Sequence, residues 1–208
     1  MNVKDLLKKA TQLKKEKNIE EAIDMLDQAY SKGIYEPPSQ FSDDFTDSKL
    51  DQLLNINDLV RKAKYLQELG KFHDSIQYID NLIEKTSNRA NYSVWEIDEL
   101  SELHNHKAII LKKEKKFNDE FVERIKSYCL SGISATIKSQ SNDDFLKKRF
   151  LLIQKNYLKE ESIKKFILDN SKKTKIDFNF EQFIKTVQKV IKLEYKTEKI
   201  HSEFIKLI

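Results

Sequence analysis

Apolar residues recur at intervals of three and four along most of the chain, the spacing of amphipathic helices. Leu6, Leu7, Ala10 and Leu13 begin the pattern, and Ala22, Ile23, Leu26, Ala29 and Tyr30 continue it. Between them lies Lys14-Lys15-Glu16-Lys17-Asn18, polar enough to be a short turn, so the two runs predict a helical hairpin. Gly33 then offers a helix C-cap, Pro37-Pro38 force an extended connection, and residues 39–48 read as an acidic loop. A second hairpin is predicted to start near residues 46–48, carrying Leu50, Leu53, Leu54, Leu59, Val60, Ala63 and Leu66 up to Gly70. Its return helix holds Phe72, Ile76, Ile79, Leu82 and Ile83. Ser93-Val94-Trp95-Glu96 has the form of a capping box and opens a third pair. Ile97, Leu100, Leu103, Ala108 and Leu111 line its first helix, and Phe121, Val122, Ile125, Tyr128 and Cys129 its second.

The last seventy residues are helical in pattern too. Asn142-Asp143-Asp144 can cap a helix with Phe145, Phe150, Leu151, Ile153 and Leu158, and a shorter one follows with Ile163, Phe166, Ile167 and Leu168. Asp177 is placed to cap a final long helix from Phe180 onward to Ile208. Apolar stripes of this kind must be buried, and packing on the third hairpin is the simplest way to bury them.

The three hairpins share a spacing. Lys9-Ala10-x-x-Leu13-x-x-x-Lys17-Asn18-Ile19 corresponds to Lys62-Ala63-x-x-Leu66-x-x-x-Gly70-Lys71-Phe72, and both to Lys107-Ala108-x-x-Leu111-x-x-x-Lys115-Lys116-Phe117. A small residue lets the paired helix come close, the leucine fills the space beside it, and the apolar residue after the turn anchors the return helix. On these residues the chain resembles the tetratricopeptide repeat family over about residues 3–33, 56–88 and 101–131. The spacing is irregular, because the copies start 53 and 45 residues apart, whereas the family repeat is about 34 residues. The resemblance implies an all-α fold of stacked helical hairpins, an α-α superhelix with a C-terminal helical cap. It also implies an adaptor that binds a peptide or protein on a concave face lined by the first helices. The lining residues would be Lys4, Leu7, Thr11 and Lys14, then Asn57, Val60, Lys64 and Gln67, then Asn105, Ile109 and Lys112. Their lysines favour an acidic or carboxylate-bearing ligand.

Composition narrows the chemistry. Among 208 residues there are three glycines and two prolines, too little punctuation for a glycine-rich phosphate cradle or an all-β sandwich. A single cysteine, Cys129, excludes an internal disulfide framework and a cysteine-based metal site, and its apolar neighbours read as a buried, inert thiol. No apolar run reaches the roughly 20 residues of a membrane span, and charges occupy the N-terminal positions a signal peptide would keep apolar, so a cytoplasmic protein is expected.

Charge is uneven. Residues 1–137 carry 21 basic against 24 acidic side chains, with Glu36, Asp43, Asp44, Asp47, Asp51 and Asp58 clustered in or beside an insert at 34–48. Residues 138–208 carry 17 against 10. The expected organisation is therefore a repeat region at 1–137 and a basic helical region at 138–208 packed on it.

No catalytic constellation stands out. His104-Asn105-His106 falls inside a helix, where residues two apart diverge. Glu102 and His106 share a face, but two ligands make no metal site, and the histidines read as solvated or groove-facing. No arginine is followed four to six residues on by histidine, the signature of a common all-helical ribonuclease family. The reading is a non-enzymatic protein-interaction module without a cofactor or metal, either an adaptor or an inhibitor such as a toxin-neutralising immunity protein. The alternative is a nucleic-acid-binding surface in the basic region, using Lys147, Lys148, Arg149, Lys164, Lys165, Lys172, Lys173 and Lys175. Oligomeric state has no signature in this sequence.

Overall fold

In a computed structural model, residues 1–35, 51–88, 94–177 and 179–193 are described. Within them the chain forms α1 (Val3–Lys15), α2 (Ile19–Lys32), α3 (Ile56–Glu68), α4 (Phe72–Ser87), α5 (Val94–Lys113), α6 (Phe117–Lys138), α7 (Asp144–Leu158), α8 (Glu160–Ser171) and α9 (Phe180–Ile191). The only extended pairing among these residues is a parallel bridge between Ile34 and Leu53.

Three of the connections are built alike. Lys17, Gly70 and Lys115 hold φ of 64°, 74° and 60°, the left-handed conformation that ends a helix. The next amide, of Asn18, Lys71 or Lys116, donates back to the carbonyl of Leu13, Leu66 or Leu111 at 2.9, 2.9 and 3.0 Å. These are the equivalent positions of the sequence repeat, and Ala10, Ala63 and Ala108 are all buried one turn before the accepting leucines. α1–α2, α3–α4 and α5–α6 are thus three hairpins with one turn geometry.

The chain divides into two compact units, Met1–Lys85 and Thr86–Ile208, so the division falls near the end of α4, while the change of charge falls at 137/138. In the first unit, α2 packs on α3, and Lys62 of α3 reaches Asp27 of α2 at 2.6 Å. The hydroxyl of Tyr30 donates to the Asp58 carbonyl at 2.5 Å, and that of Tyr78 to the Leu59 carbonyl at 3.2 Å, so α3 is gripped from α2 and α4 alike. Burial pushes both phenols well above their ordinary range. Ser75 occupies a small-residue position of α4, and its hydroxyl donates to the Ala63 carbonyl at 2.8 Å.

The start of the second hairpin differs from expectation. Leu53 and Leu54 do not begin a helix: Leu54 donates to the Ile34 carbonyl, and Ile34 donates to Gln52, as an extended bridge. The helix starts at Ile56 behind a capping box in which Asn55 and Asp58 exchange side-chain-to-backbone hydrogen bonds. Gly33 is the last-turn cap, donating to Ala29, but with extended φ and ψ. Its lack of a side chain is needed for closeness, since a Cβ there would stand 2.3 Å from Leu54 Cδ1. The capping box expected at Ser93, the loop at 39–48 and Pro37-Pro38 lie outside the described residues.

In the second unit α6 is central, with α5, α7, α8 and α9 all packing on it. Small residues make this possible: Gly132, Ser134, Ala135 and Thr136 are buried in succession around Ile133. Gly132 lies inside α6, which runs on to Lys138. A Cβ at Gly132 would lie 2.7 Å from Ile191 Cγ1, so the glycine is where α9 crosses α6. The Thr136 hydroxyl completes the crossing, 2.7 Å from the Ile191 carbonyl at the end of α9. Asn179, not Asp177, caps α9 by accepting from the Gln182 amide. α9 closes at Ile191, with Leu193 at φ 60°, and the rest of the predicted helix, from residue 194 to Ile208, lies outside the described residues.

Candidate interaction surfaces

The proposed lining residues fall into repeat-equivalent columns, and the fold treats each column differently. Leu7, Val60 and Asn105 turn inward: Leu7 and Val60 are buried in the first unit, and half-buried Asn105 accepts from Arg124 Nη1 at 2.5 Å in the second. Thr11, Lys64 and Ile109 turn outward, Thr11 half-buried with its hydroxyl on the Leu7 carbonyl, Lys64 and Ile109 exposed. Lys14 and Gln67 are half-buried, and Lys112 is exposed. Lys4 and Asn57 are exposed.

Cations in the first unit are partly spoken for. Lys4 pairs with Asp51 at 2.5 Å, and Lys14 pairs with Glu68 at 2.9 Å while lying 5.9 Å from the Tyr65 ring centre. The Glu68 carboxylate raises the Lys14 ammonium above its ordinary range. Lys64 and Lys112 have no ion pair among the described residues, so they are the cations of this set left for an outside carboxylate.

The histidine string corrects the sequence reading. His104 is not solvated: it is buried between α5 and α6, with Nδ1 2.5 Å from Glu123 Oε2. Lys126 and Lys107 approach the other carboxylate oxygen at 3.1 and 3.6 Å. Burial raises the Glu123 carboxyl, but the His104 hydrogen bond and charge, with Lys126 and Lys107, more than offset it and bring it down to about 2. Next to this pair Ser101 bridges to Ser127 and Ser131, and Lys138 pairs with Asp98 further along. These polar contacts seam the hairpin. Glu123 lies off the Phe121–Ile125–Cys129 stripe, and what would have found it is the turn at Lys115, which sets the register bringing residue 104 beside residue 123.

Cys129 is fully enclosed, and burial pushes its thiol far above the ordinary range, which makes it unreactive. Among the described residues no group of three histidine, cysteine or acidic side chains could hold a metal ion, and no helix is long and apolar enough to cross a membrane. An open cleft of about 330 Å³ lies where α6, α7 and α8 meet, lined by Tyr128, Ile153, Asn156, Tyr157 and Ser162. Its floor is the Tyr128 ring, stacked on Phe166 at 4.3 Å and edge-on to Tyr157 at 4.9 Å.

α7 departs most from expectation. No residue of the helix is fully enclosed: of its predicted stripe Phe150, Ile153 and Leu158 are half-buried, Leu151 is exposed and Phe145 is 74% exposed, while Leu152, outside that stripe, is 63% exposed. Asp143 caps it by accepting from the Leu146 amide at 2.9 Å. Of the cations in the basic region, Lys164 and Lys172 are paired with Glu160 and Asp169. Lys147, Lys148, Lys155 and Lys159 have no such partner among the described residues. The chain matches no family model, no curated protein and no solved structure.

Proposed function

We propose that the chain is a non-catalytic protein-interaction module of tetratricopeptide-like hairpins, acting as an adaptor or as an inhibitor that neutralises a protein partner. The observation that carries this reading is the recurrence of one turn at three equivalent positions, each with a buried alanine two turns before it, because hairpins repeated in this way display the outer faces of their first helices. The outward columns of those helices are polar or mixed, with Asn57 and Lys64 on α3 and Ile109 and Lys112 on α5. With Lys4 and Lys14 already paired internally, preference for an acidic ligand rests on Lys64 and Lys112.

The test is an affinity capture from the source cell with the wild-type chain and a Lys64→Glu, Lys112→Glu variant, partners being identified by mass spectrometry. A partner lost only with the variant supports the reading. Survival of every partner rejects the first-helix assignment.

A further inference from the structure

From Phe145 to Leu158, α7 carries four cations (Lys147, Lys148, Arg149 and Lys155) and no carboxylate, with Asp144 at its first position and Glu160 and Glu161 beyond its end. Phe145 and Leu152 are seven residues apart, so they stand two turns from each other on one face of α7. Lys148, Arg149 and Lys155 flank them on that same side of the helical wheel, all exposed. The opposite side, with Phe150, Ile153, Gln154 and Tyr157, is half-buried, and the C-terminal end is held where the Tyr157 carbonyl accepts from the Tyr128 hydroxyl and the Leu158 carbonyl from Gln188 Nε2 at 3.1 Å. α7 is therefore an anchored ridge whose outer edge carries two bare apolar tips among cations that have no ion pair among the described residues, Arg149 lying 5.9 Å from the Phe150 ring centre.

Two exposed apolar tips alone would be ordinary; what sets this edge apart is their alignment on one side of the helix with three exposed cations. A nucleic acid would reward the cations but leave Leu152 in water, and a protein partner would need carboxylates in register with three separate cations. An anionic bilayer surface satisfies both residue types without register, because apolar tips enter the interface while lysine and arginine stems extend to the phosphates. We propose that α7 docks the second unit peripherally on an anionic lipid surface, with Phe145 and Leu152 entering the interface and Lys148, Arg149 and Lys155 at headgroup level. This surface is separate from the first-helix columns, so its failure would leave the protein-interaction reading standing.

The experiment is co-sedimentation of the full chain with vesicles of equimolar phosphatidylcholine and phosphatidylserine, and with phosphatidylcholine alone, at low and physiological salt. Binding is expected only with phosphatidylserine. Lys148→Glu with Arg149→Glu should weaken it by about thirtyfold or more, and Phe145→Ser with Leu152→Ser by about tenfold. Both pairs are exposed, and unchanged circular dichroism checks that the fold is kept. No sedimentation with phosphatidylserine, or equal sedimentation with neutral vesicles, overturns the proposal. So does an apolar variant that binds like wild type, or a single-stranded oligonucleotide that competes the protein off the vesicles at physiological salt while binding the apolar variant unchanged.

Discussion

Lys17, Gly70 and Lys115 do the same work with different side chains. A residue with a Cβ in the left-handed region costs about 1–2 kcal/mol, and glycine avoids that cost at the expense of a more flexible unfolded chain. A Cβ on Gly70 would meet nothing within 4 Å, so the cost of adding one is purely conformational. Gly70→Ala should therefore lower stability by about 1 kcal/mol, while Lys17→Gly and Lys115→Gly should raise it by about 0.5–1 kcal/mol. Urea unfolding followed by circular dichroism checks all three, and a loss of stability in both lysine variants would contradict the shared turn. The turn was legible in the repeat spacing because it depends on local backbone chemistry. Gly33 and Gly132 were legible only as glycines: both are needed for what crosses them, Leu54 and Ile191, which lie far along the chain.

At the scale of the element, α6 shows why a helix read in isolation can mislead. Its pattern resembles a weak amphipath, yet it is enclosed on several sides because it is the platform for every other helix of its unit. At its crossing with α9 the platform leaves no room for a side chain, since a Cβ on Gly132 would lie 2.7 Å from Ile191 Cγ1. Gly132→Val should destabilise the second unit by about 1–3 kcal/mol through overpacking against Ile191, a stiff β-branched side chain. Adding Ile191→Ala should recover part of the loss although Ile191→Ala alone is destabilising. A double-mutant cycle measured by urea unfolding, with hydrogen exchange of the α9 amides, tests this coupling. Additive effects would mean that the two residues do not meet. α7 is the reverse case, since its predicted stripe is at most half-buried and the fold leaves Phe145 of that stripe, and Leu152 beside it, outside. Periodicity reports that a face is apolar; only the number of available neighbours decides whether that face is covered.

For the whole molecule, the buried ion pair of the second unit sets a pH dependence. The Glu123 carboxyl is held at about 2, below its ordinary 4.5, so its contribution is fully present above pH 4.5 and is lost as pH falls from there towards 2. Glu123→Gln should cost on the order of 3 kcal/mol at neutral pH and flatten the stability profile over that acid range. Denaturant midpoints measured stepwise from neutral pH downward decide the matter: a variant as acid-sensitive as wild type would remove Glu123 from the account. By itself the sequence determined the all-helical class, the three hairpins, their turn residues and the buried alanines, since period, small-residue spacing and turn conformation are properties of neighbouring residues. Tertiary structure alone decided that His104 and Glu123 go inside, that Leu7 and Val60 do not face outward, that two glycines are crossing points and that α7 keeps an apolar edge in water. Those outcomes depend on inter-helix register and on which helices are at hand to cover a face, quantities set by residues distant along the chain.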